Sequence, residues 1–412
     1  MNAQVSLLKG SYNLIYFSHE LYPFLLQPII RTLIPQTQDL QLSSAPSSTQ
    51  AAPAPASTPP PPPDPDQELD GLTADQQHRF LNISLTPVEC SLVVHASWAR
   101  NVFGPAIERL PPALAAQVHV SADTYMILCV IAAGLDPAGR VMELSSPLAL
   151  AGIPIFFLTT YYSDFILAPT RERPRVIDAL SSKGFDCLED GRFFNHAAYK
   201  HGHVRFRPPD TPPAVIAELQ RRTFELLKRR SVAPAVHPHL ELLLAGGRDV
   251  AQLPGAFASY PSPNRRRSSP PEGTRRGRRG AWADGVDPRL FNCIVSALAS
   301  QPSFLSVTLA EEDPPSVLMD RTLLPLFGDS VVGDFDTTLI PIFLNLENLP
   351  SEVTGVVSGV AGKLVQEMKV PNMLEMSYLS TARASAVVLP QEQAERALSI
   401  LDNCMEMAEL GP

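Results

Sequence analysis

The chain has 412 residues, of which 45% are hydrophobic and only 18% charged, with a formal net charge of −9. That length allows about two to four domains of ~100 to 200 residues each, and the acidic balance gives no global reason to expect nucleic acid or an anionic membrane as a partner. No run of ~18 apolar residues is present, which argues against a membrane-spanning helix; the 42 prolines, about twice the average usage of ~5%, place part of the chain outside packed structure.

Residues 1–35 contain apolar patches broken by Lys9, His19, Glu20, Pro23 and Pro28, and lack the basic start and continuous apolar stretch of a signal peptide. Within them the pattern predicts a strand over 13–17 and a helix over 23–33. Residues 43–70 are almost entirely Ala, Pro, Ser, Thr and Gln, and cannot bury enough apolar surface to order themselves. A strand pair follows at 79–85 and 90–95. Residues 123–132 form a buried-strand pattern, 138–151 a helix, 153–160 and 163–167 strands, and 173–182 a helix, with a closing strand near Phe185.

A connection rich in His, Arg and Pro (191–213) leads to a basic helix over 214–230. The order then recurs: a strand at 239–245, an arginine-rich insertion at 260–280, a helix at 288–299, and strands at 304–309 and 316–319. It recurs once more at 336–346, 355–368, 374–379, 384–389 and 391–405. The β-α-β-β-α-β order is that of a split βαβ, ferredoxin-like unit. The expected fold is therefore α+β, with four such units at 1–112, 117–190, 239–328 and 329–405 and a linker at 191–238.

One pattern occurs twice. T-T-Y-Y-S-D-F-I-L-A-P spans 159–169 and S-T-A-R-A-S-A-V-V-L-P spans 380–390, and 380 − 159 and 390 − 169 both give an offset of 221. Repetition of this kind implies duplicated units. Each hydroxyl doublet either ends a strand, where Thr and Ser are common, or forms half of a shared site. Gly355, Gly359 and Gly362 leave a similar choice between ligand approach and close packing of two elements.

Five scattered cysteines without C-x-x-C spacing favour reduced thiols and a cytoplasmic or nuclear setting. His196, His201 and His203 with Cys187 match no common zinc ligand set, so no metal is expected. The arginines from Arg265 to Arg279 are best explained as a solvated insertion. No phosphate loop, nucleophile elbow or H-E-x-x-H is present, and neither an enzyme nor a cofactor is expected.

With these residues in hand, the chain resembles the ACT-domain amino-acid sensors of the CASTOR type, relatives of the aspartate kinase regulatory domains. The resemblance rests on T-T-Y-Y-S-D-F-I-L at 159–167, T-G-V-V-S-G-V-A-G-K-L at 354–364, the Ser380-Thr381 doublet and V-H-P at 236–238. It follows the ordered chain throughout and is strongest in the second and fourth units.

The resemblance implies that those two units pack together and bind a free amino acid, with occupancy altering association with a protein complex upstream of a growth-control kinase. Backbone at Pro154 and Ile155 would meet the ligand from one side, and Thr354, Gly355 and Val356 from the other, where a helix N-terminus suits an anion. Ser380 and Thr381 would supply hydroxyls, and His237 would lie in a closing loop. Tyr161, Tyr162 and Asp164 would form an exposed edge for the protein partner. The family's two ligand-reading carboxylates fall at Val353 and Ser385, and an aromatic wall falls at Ala382. Glu352 lies one residue from the acidic position. A buried guanidinium would be poorly compensated here, so the expected ligand is a smaller or less cationic amino acid than arginine. Besides that amino acid and a nutrient-signalling protein complex, a second copy of the chain is a candidate partner. The alternatives are a ligand-independent ACT-fold scaffold and a feedback subunit of amino-acid biosynthesis.

Overall fold

A computed structural model describes residues 3–33, 80–132, 137–188, 214–248, 287–310, 313–350, 352–368 and 375–408. The insertions at 43–70 and 260–280, the connection 191–213 and its three histidines lie outside the described residues. In the first half of the chain the elements are β1 (Ala3–Leu7), β2 (Tyr12–Phe17), α1 (Tyr22–Leu33), β3 (Phe80–Leu85), β4 (Cys90–His95), short helical turns over 96–115, β5 (His119–Val120), β6 (Tyr125–Ala132), α2 (Pro137–Leu150), β7 (Phe156–Thr159), β8 (Asp164–Pro169), α3 (Arg173–Ser181) and β9 (Asp186–Leu188). In the second half they are α4 (Ala214–Arg229), β10 (Pro234–Val236), β11 (Leu242–Gly247), α5 (Pro288–Ala299), β12 (Leu305–Ala310), β13 (Ser316–Asp320), β14 (Val331–Gly333), β15 (Leu339–Asn345), α6 (Val356–Met368), β16 (Ser377–Ser380), β17 (Ala384–Pro390) and α7 (Gln391–Met407).

Local chemistry accounts for the boundaries. α5 starts where the Asp287 carboxylate accepts from Arg289 N at 3.0 Å and Pro288 occupies the first turn. α2 stops at Gly152, whose φ of 68° is left-handed, while Ile153 N returns to Leu148 O at 2.9 Å. That turn consumes residues 151–155, which is why β7 begins at Phe156 rather than at 153.

Strand order in one sheet is β9-β1-β6-β8-β7, continued through β16-β17-β15-β10, and in the other it is β5-β2-β4-β3, continued through β12-β13-β11-β14. The halves meet along β3–β12, with six pairs from Leu305↔Leu85 to Ala310↔Phe80, and along β7–β16 at Leu379↔Leu158. Single pairings at Tyr12↔Tyr125 and Leu242↔Leu339 link the two sheets, so that twelve strands close a ring. The first strand does not stay with the unit bounded at residue 112: β1 pairs antiparallel with β6 and parallel with β9. β10 does the corresponding thing at β15. Each half thus sends a strand across to its other sheet.

Period-2 alternation divides the apolar residues among three cores. Phe80, Val93, Ile127, Phe165, Phe304 and Phe343 fill the space between the sheets. Their sequence neighbours face outward, where α2, α3, α6 and α7 cover one sheet and α1 and α5 the other. At the β3–β12 junction the interior is polar: Asn82 donates to Thr308 Oγ1 at 3.0 Å, and Ser84 lies 2.8 Å from Ser306. A buried network whose members are all partnered fixes register as well as adding stability. Asn82→Leu is expected to leave Thr308 Oγ1 without this donor, while Ser84 and Ser306 keep each other, and to cost about 1–3 kcal/mol in denaturant unfolding.

Candidate functional site

The repeated doublets meet at the β7–β16 junction. Phe157 N donates to Ser380 Oγ at 3.0 Å, and reciprocally Tyr378 N donates to Thr159 Oγ1 at 3.0 Å. The second hydroxyl of each doublet closes its own hairpin: Thr160 Oγ1 donates to Ser163 O at 2.6 Å, and Thr381 Oγ1 to Ala384 O at 3.3 Å. Thr86 makes the same turn with Glu89 O at 3.1 Å. The doublet is therefore a device for joining halves and turning chains. Its hydroxyls are engaged by backbone.

This register places the start of β7 beside the end of β16. Ile155 and Val356 pack against the same core, and Arg171, just beyond β8, reaches Glu352 at 3.4 Å, tying the approach to α6 to this end of the sheet. Pro154, Ile155, Thr354, Gly355, Val356, Ser380, Thr381 and Ser385 thus belong to one region of the seam. Ser380, Thr381 and Ser385 are buried; the other five are half-buried. The Tyr378 phenol is fully buried, and burial holds it above its ordinary range. Ser385 stands beside it and partly offsets the shift, but the two hydroxyls do not meet hydrogen-bond geometry.

Four expectations are corrected. The Glu352 side chain is 78% exposed in a surface ion pair, so it does not replace a pocket carboxylate. His237 is exposed, and its ring packs edge-on at 5.4 Å against Phe343, which belongs to the core between the sheets, on the face opposite α6. Asp164 is 1% exposed, held by Arg140 Nε at 2.6 Å, because its place on β8 points it beneath α2. The turn that carries Tyr161 and Tyr162 is held by contacts to the second half of the chain: Tyr161 N donates to Ser316 Oγ at 2.9 Å, and the Tyr162 hydroxyl donates to Gly247 O. Tyr161 keeps 39% exposure, yet the three residues do not form an open edge together.

The glycines of α6 answer mainly to packing. A Cβ at Gly359 would lie 2.7 Å from Thr223, and one at Gly362 2.8 Å from Gln220 Nε2, so α4 approaches α6 closely along this stripe. Gly355 has φ 89°, and a Cβ there would meet Leu219 at 3.1 Å and Thr223 Oγ1 at 3.2 Å. Thr223 Oγ1 also contacts Gly355 O at 3.2 Å. Sequence reasoning did not find α4 as the cover of this end of α6, since the contacting residues lie 132 apart in the chain.

Glu89 was also missed. It is 2% exposed, and its Oε1 accepts from Arg383 N at 2.6 Å, joining the β3–β4 hairpin to the β16–β17 hairpin. Burial raises its pKa, against the lowering effects of the Arg383 amide, the Thr381 hydroxyl and the Arg383 charge. The adjacent Cys90 thiol, 3.6 Å from His19 Nδ1, is pushed up to about 12 by burial, with the Glu89 charge adding, so this Cys–His pair holds no thiolate at neutral pH. A raised carboxyl pKa in the folded state means that the native protein binds the proton more tightly. Its stabilising share is present below the unfolded pKa and is lost as pH rises through the folded one. Glu89→Gln keeps an acceptor for Arg383 N, and is expected to remove that loss across the acidic-to-neutral range in unfolding measured against pH. Glu89→Leu strands the amide, and is expected to cost about 1–3 kcal/mol.

Among the described residues no three His, Cys, Asp or Glu side chains gather to hold a metal, all five cysteines are free, and no helix is long and apolar enough to cross a membrane. Residues 120–182, from the end of β5 through α3, match the ACT domain family. No curated protein matches the chain. Among solved structures, a protein from Agrobacterium tumefaciens is 18% identical with a TM-score of 0.25, covering 48% of this chain and 99% of its own. Aspartate kinase from Synechocystis is 12% identical with a TM-score of 0.29 over 98% of this chain, which spans 56% of that enzyme's length. A Vibrio cholerae protein described as a possible transport protein is 14% identical with a TM-score of 0.20, covering 44% and 90% of the two chains. At these scores the structural likenesses carry no weight in the argument. The ACT match identifies the β6-α2-β7-β8-α3 segment.

Proposed function

We propose that the chain is a non-enzymatic regulatory protein of four ACT-like units that binds a small free amino acid where the second and fourth units meet, and passes its occupancy to a protein partner in cytoplasmic nutrient signalling. The observation that supports this most is the reciprocal β7–β16 seam. It sets the Pro154–Ile155 turn, which lies within the segment that matches the ACT domain, the Gly355–Val356 helix start and the buried Ser385 hydroxyl in one region. The first amides of α6 suit a ligand carboxylate. With Ser385 and Tyr378 as its buried polar groups, such a site favours an uncharged side chain over a guanidinium.

Thermal-shift measurement against the twenty free amino acids tests this, because a ligand at 100 times its dissociation constant adds about 2.7 kcal/mol. Gly355→Ala is expected to lose the shift, since the added Cβ strains a left-handed residue at a cost of about 1–3 kcal/mol and disturbs the start of α6. Binding retained in a folded Gly355→Ala variant would move the site elsewhere.

A second reading is favoured by the contact of α4 with Gly355. Leu219 and Thr223 cover the residue that a ligand would approach, as expected of a scaffold in which the linker helix fills the site permanently. No shift with any amino acid would select this reading.

A further inference from the structure

The two halves of α4 are held differently. The C-terminal half is anchored: Phe224 and Leu227 are buried in the core that α6 and α7 share, Lys228 Nζ donates to Glu406 O at 2.9 Å, and Ser231, at φ 55°, closes the helix as Val232 N returns to Leu227 O at 2.9 Å. The N-terminal half only rests on its neighbour. From Val215 to Leu219 no residue is buried, and Val215 is 62% exposed. The cover over the start of α6 consists of half-buried Leu219 and of Thr223, laid against the side-chain-free backbone of Gly355 and Gly359.

The polar contact at this cover is redundant. Thr223 Oγ1 lies 3.2 Å from Gly355 O, yet the same hydroxyl donates to Leu219 O in its own helix at 2.9 Å, and Gly355 O already accepts from Gly359 N at 2.7 Å. Separating α4 from α6 there leaves neither group unpaired, and so escapes the penalty that fixes most buried polar contacts. The ion pairs of the exposed face follow the same rule: Glu218 with Arg221 and Arg222, and Arg221 with Glu225, all run along α4 and none crosses to α6. Such pairs support a helix that has no neighbour. The segment can therefore leave α6 as a helix, without melting.

From this asymmetry we infer that the first half of α4, from Val215 to Thr223, is an autoinhibitory lid, closed over the first turn of α6 in this structure and lifted about the Phe224–Leu227 anchor to admit a ligand. The inference rests on the helix-start reading of the site, and adds that the bound state is the open one. Closure then sets the affinity, because the apparent dissociation constant is the intrinsic one divided by the open fraction. Trimming a lid tightens binding. Trimming the wall of a pocket loosens it.

Opening is measured without ligand by alkylating Thr223→Cys in the otherwise native full chain, with Cys129, buried in the core between the sheets, as the internal control. Affinity is measured by calorimetric titration of the wild type and of Leu219→Ala with each of the twenty free amino acids, and circular dichroism checks that both variants are folded. The expected result is labelling at position 223 about tenfold faster than at Cys129, faster still when a bound amino acid is added, and binding to Leu219→Ala about threefold tighter than to the wild type. Labelling at 223 no faster than at Cys129 overturns the lid whether or not an amino acid binds, and selects the permanently filled scaffold. Labelling slowed by the amino acid, with weaker binding to Leu219→Ala, also overturns it and makes both residues walls of the pocket. Rapid labelling with no amino acid bound by either protein supports the moving lid and removes the helix-start reading.

Discussion

Replacing Arg140 alone by leucine is expected to destabilise the protein by about 3 kcal/mol, the lower end of the ~3–5 kcal/mol that follows removal of one partner from a buried ion pair. The lower end applies because Arg140 is 24% exposed while Asp164 is 1% exposed. The loss arises on the aspartate: its carboxylate stays beneath α2 with neither the guanidinium nor water to compensate it. The double change to leucine removes that charge as well, and is expected to recover most of the loss, giving a coupling of about 2 kcal/mol in a double-mutant cycle. Urea unfolding of the four proteins measures it. Additive single effects would show that Asp164 is not committed to Arg140, and that its burial is relieved by local opening of the β7–β8 hairpin.

Gly246→Val is expected to be strongly destabilising. A Cβ at Gly246 would lie 2.6 Å from Tyr161 Cδ1 and 2.6 Å from both Cε2 and the hydroxyl of Tyr162. Overpacking of this kind costs about 1–3 kcal/mol, and the displaced Tyr162 also gives up its hydrogen bond to Gly247 O. Truncating Tyr162 to alanine in the Gly246→Val background should relieve part of the cost, a non-additivity readable by thermal unfolding. If the two tyrosines formed a free edge, Gly246→Val would be silent.

Period and punctuation in the sequence announced most of the regular elements. The expected helix at 288–299 and strand at 90–95 coincide with α5 and β4, since proline, a capping aspartate and clean alternation mark their ends. The repeat at offset 221 announced the two strands that meet at the seam. What it did not announce was how the chain shares its strands. β1 is five residues with no turn signal binding it to β6, and its partners lie more than a hundred residues away.

The site was legible in part for the same reason. Residues belonging to a local motif, such as Ser380 with Thr381 and Gly355 with Val356, were placed in one region by strand register. Glu352 was expected there by position and His237 through its V-H-P motif, and the backbone turns both away. Glu89 reaches Arg383 across 294 residues and Thr223 reaches Gly355 across 132, and nothing in their own neighbourhoods marks either contact; Arg140 reaches Asp164 across 24. Asp164 was noticed and misplaced, because its burial depends on the helix laid over it rather than on the strand that carries it.

The exchange of strands between sheets has a consequence for synthesis. β1 leaves the ribosome before its partners and pairs with residues 128–132 and 186–188. At ~5–20 residues per second it waits on the order of ten seconds for β6. β3 waits longer, since its partner along the ring is β12, which ends at Ala310. The nascent first half therefore carries an unpaired edge at β3 until β12 has been made, and holding that edge apart from other chains is a task the cell meets before the ring can close.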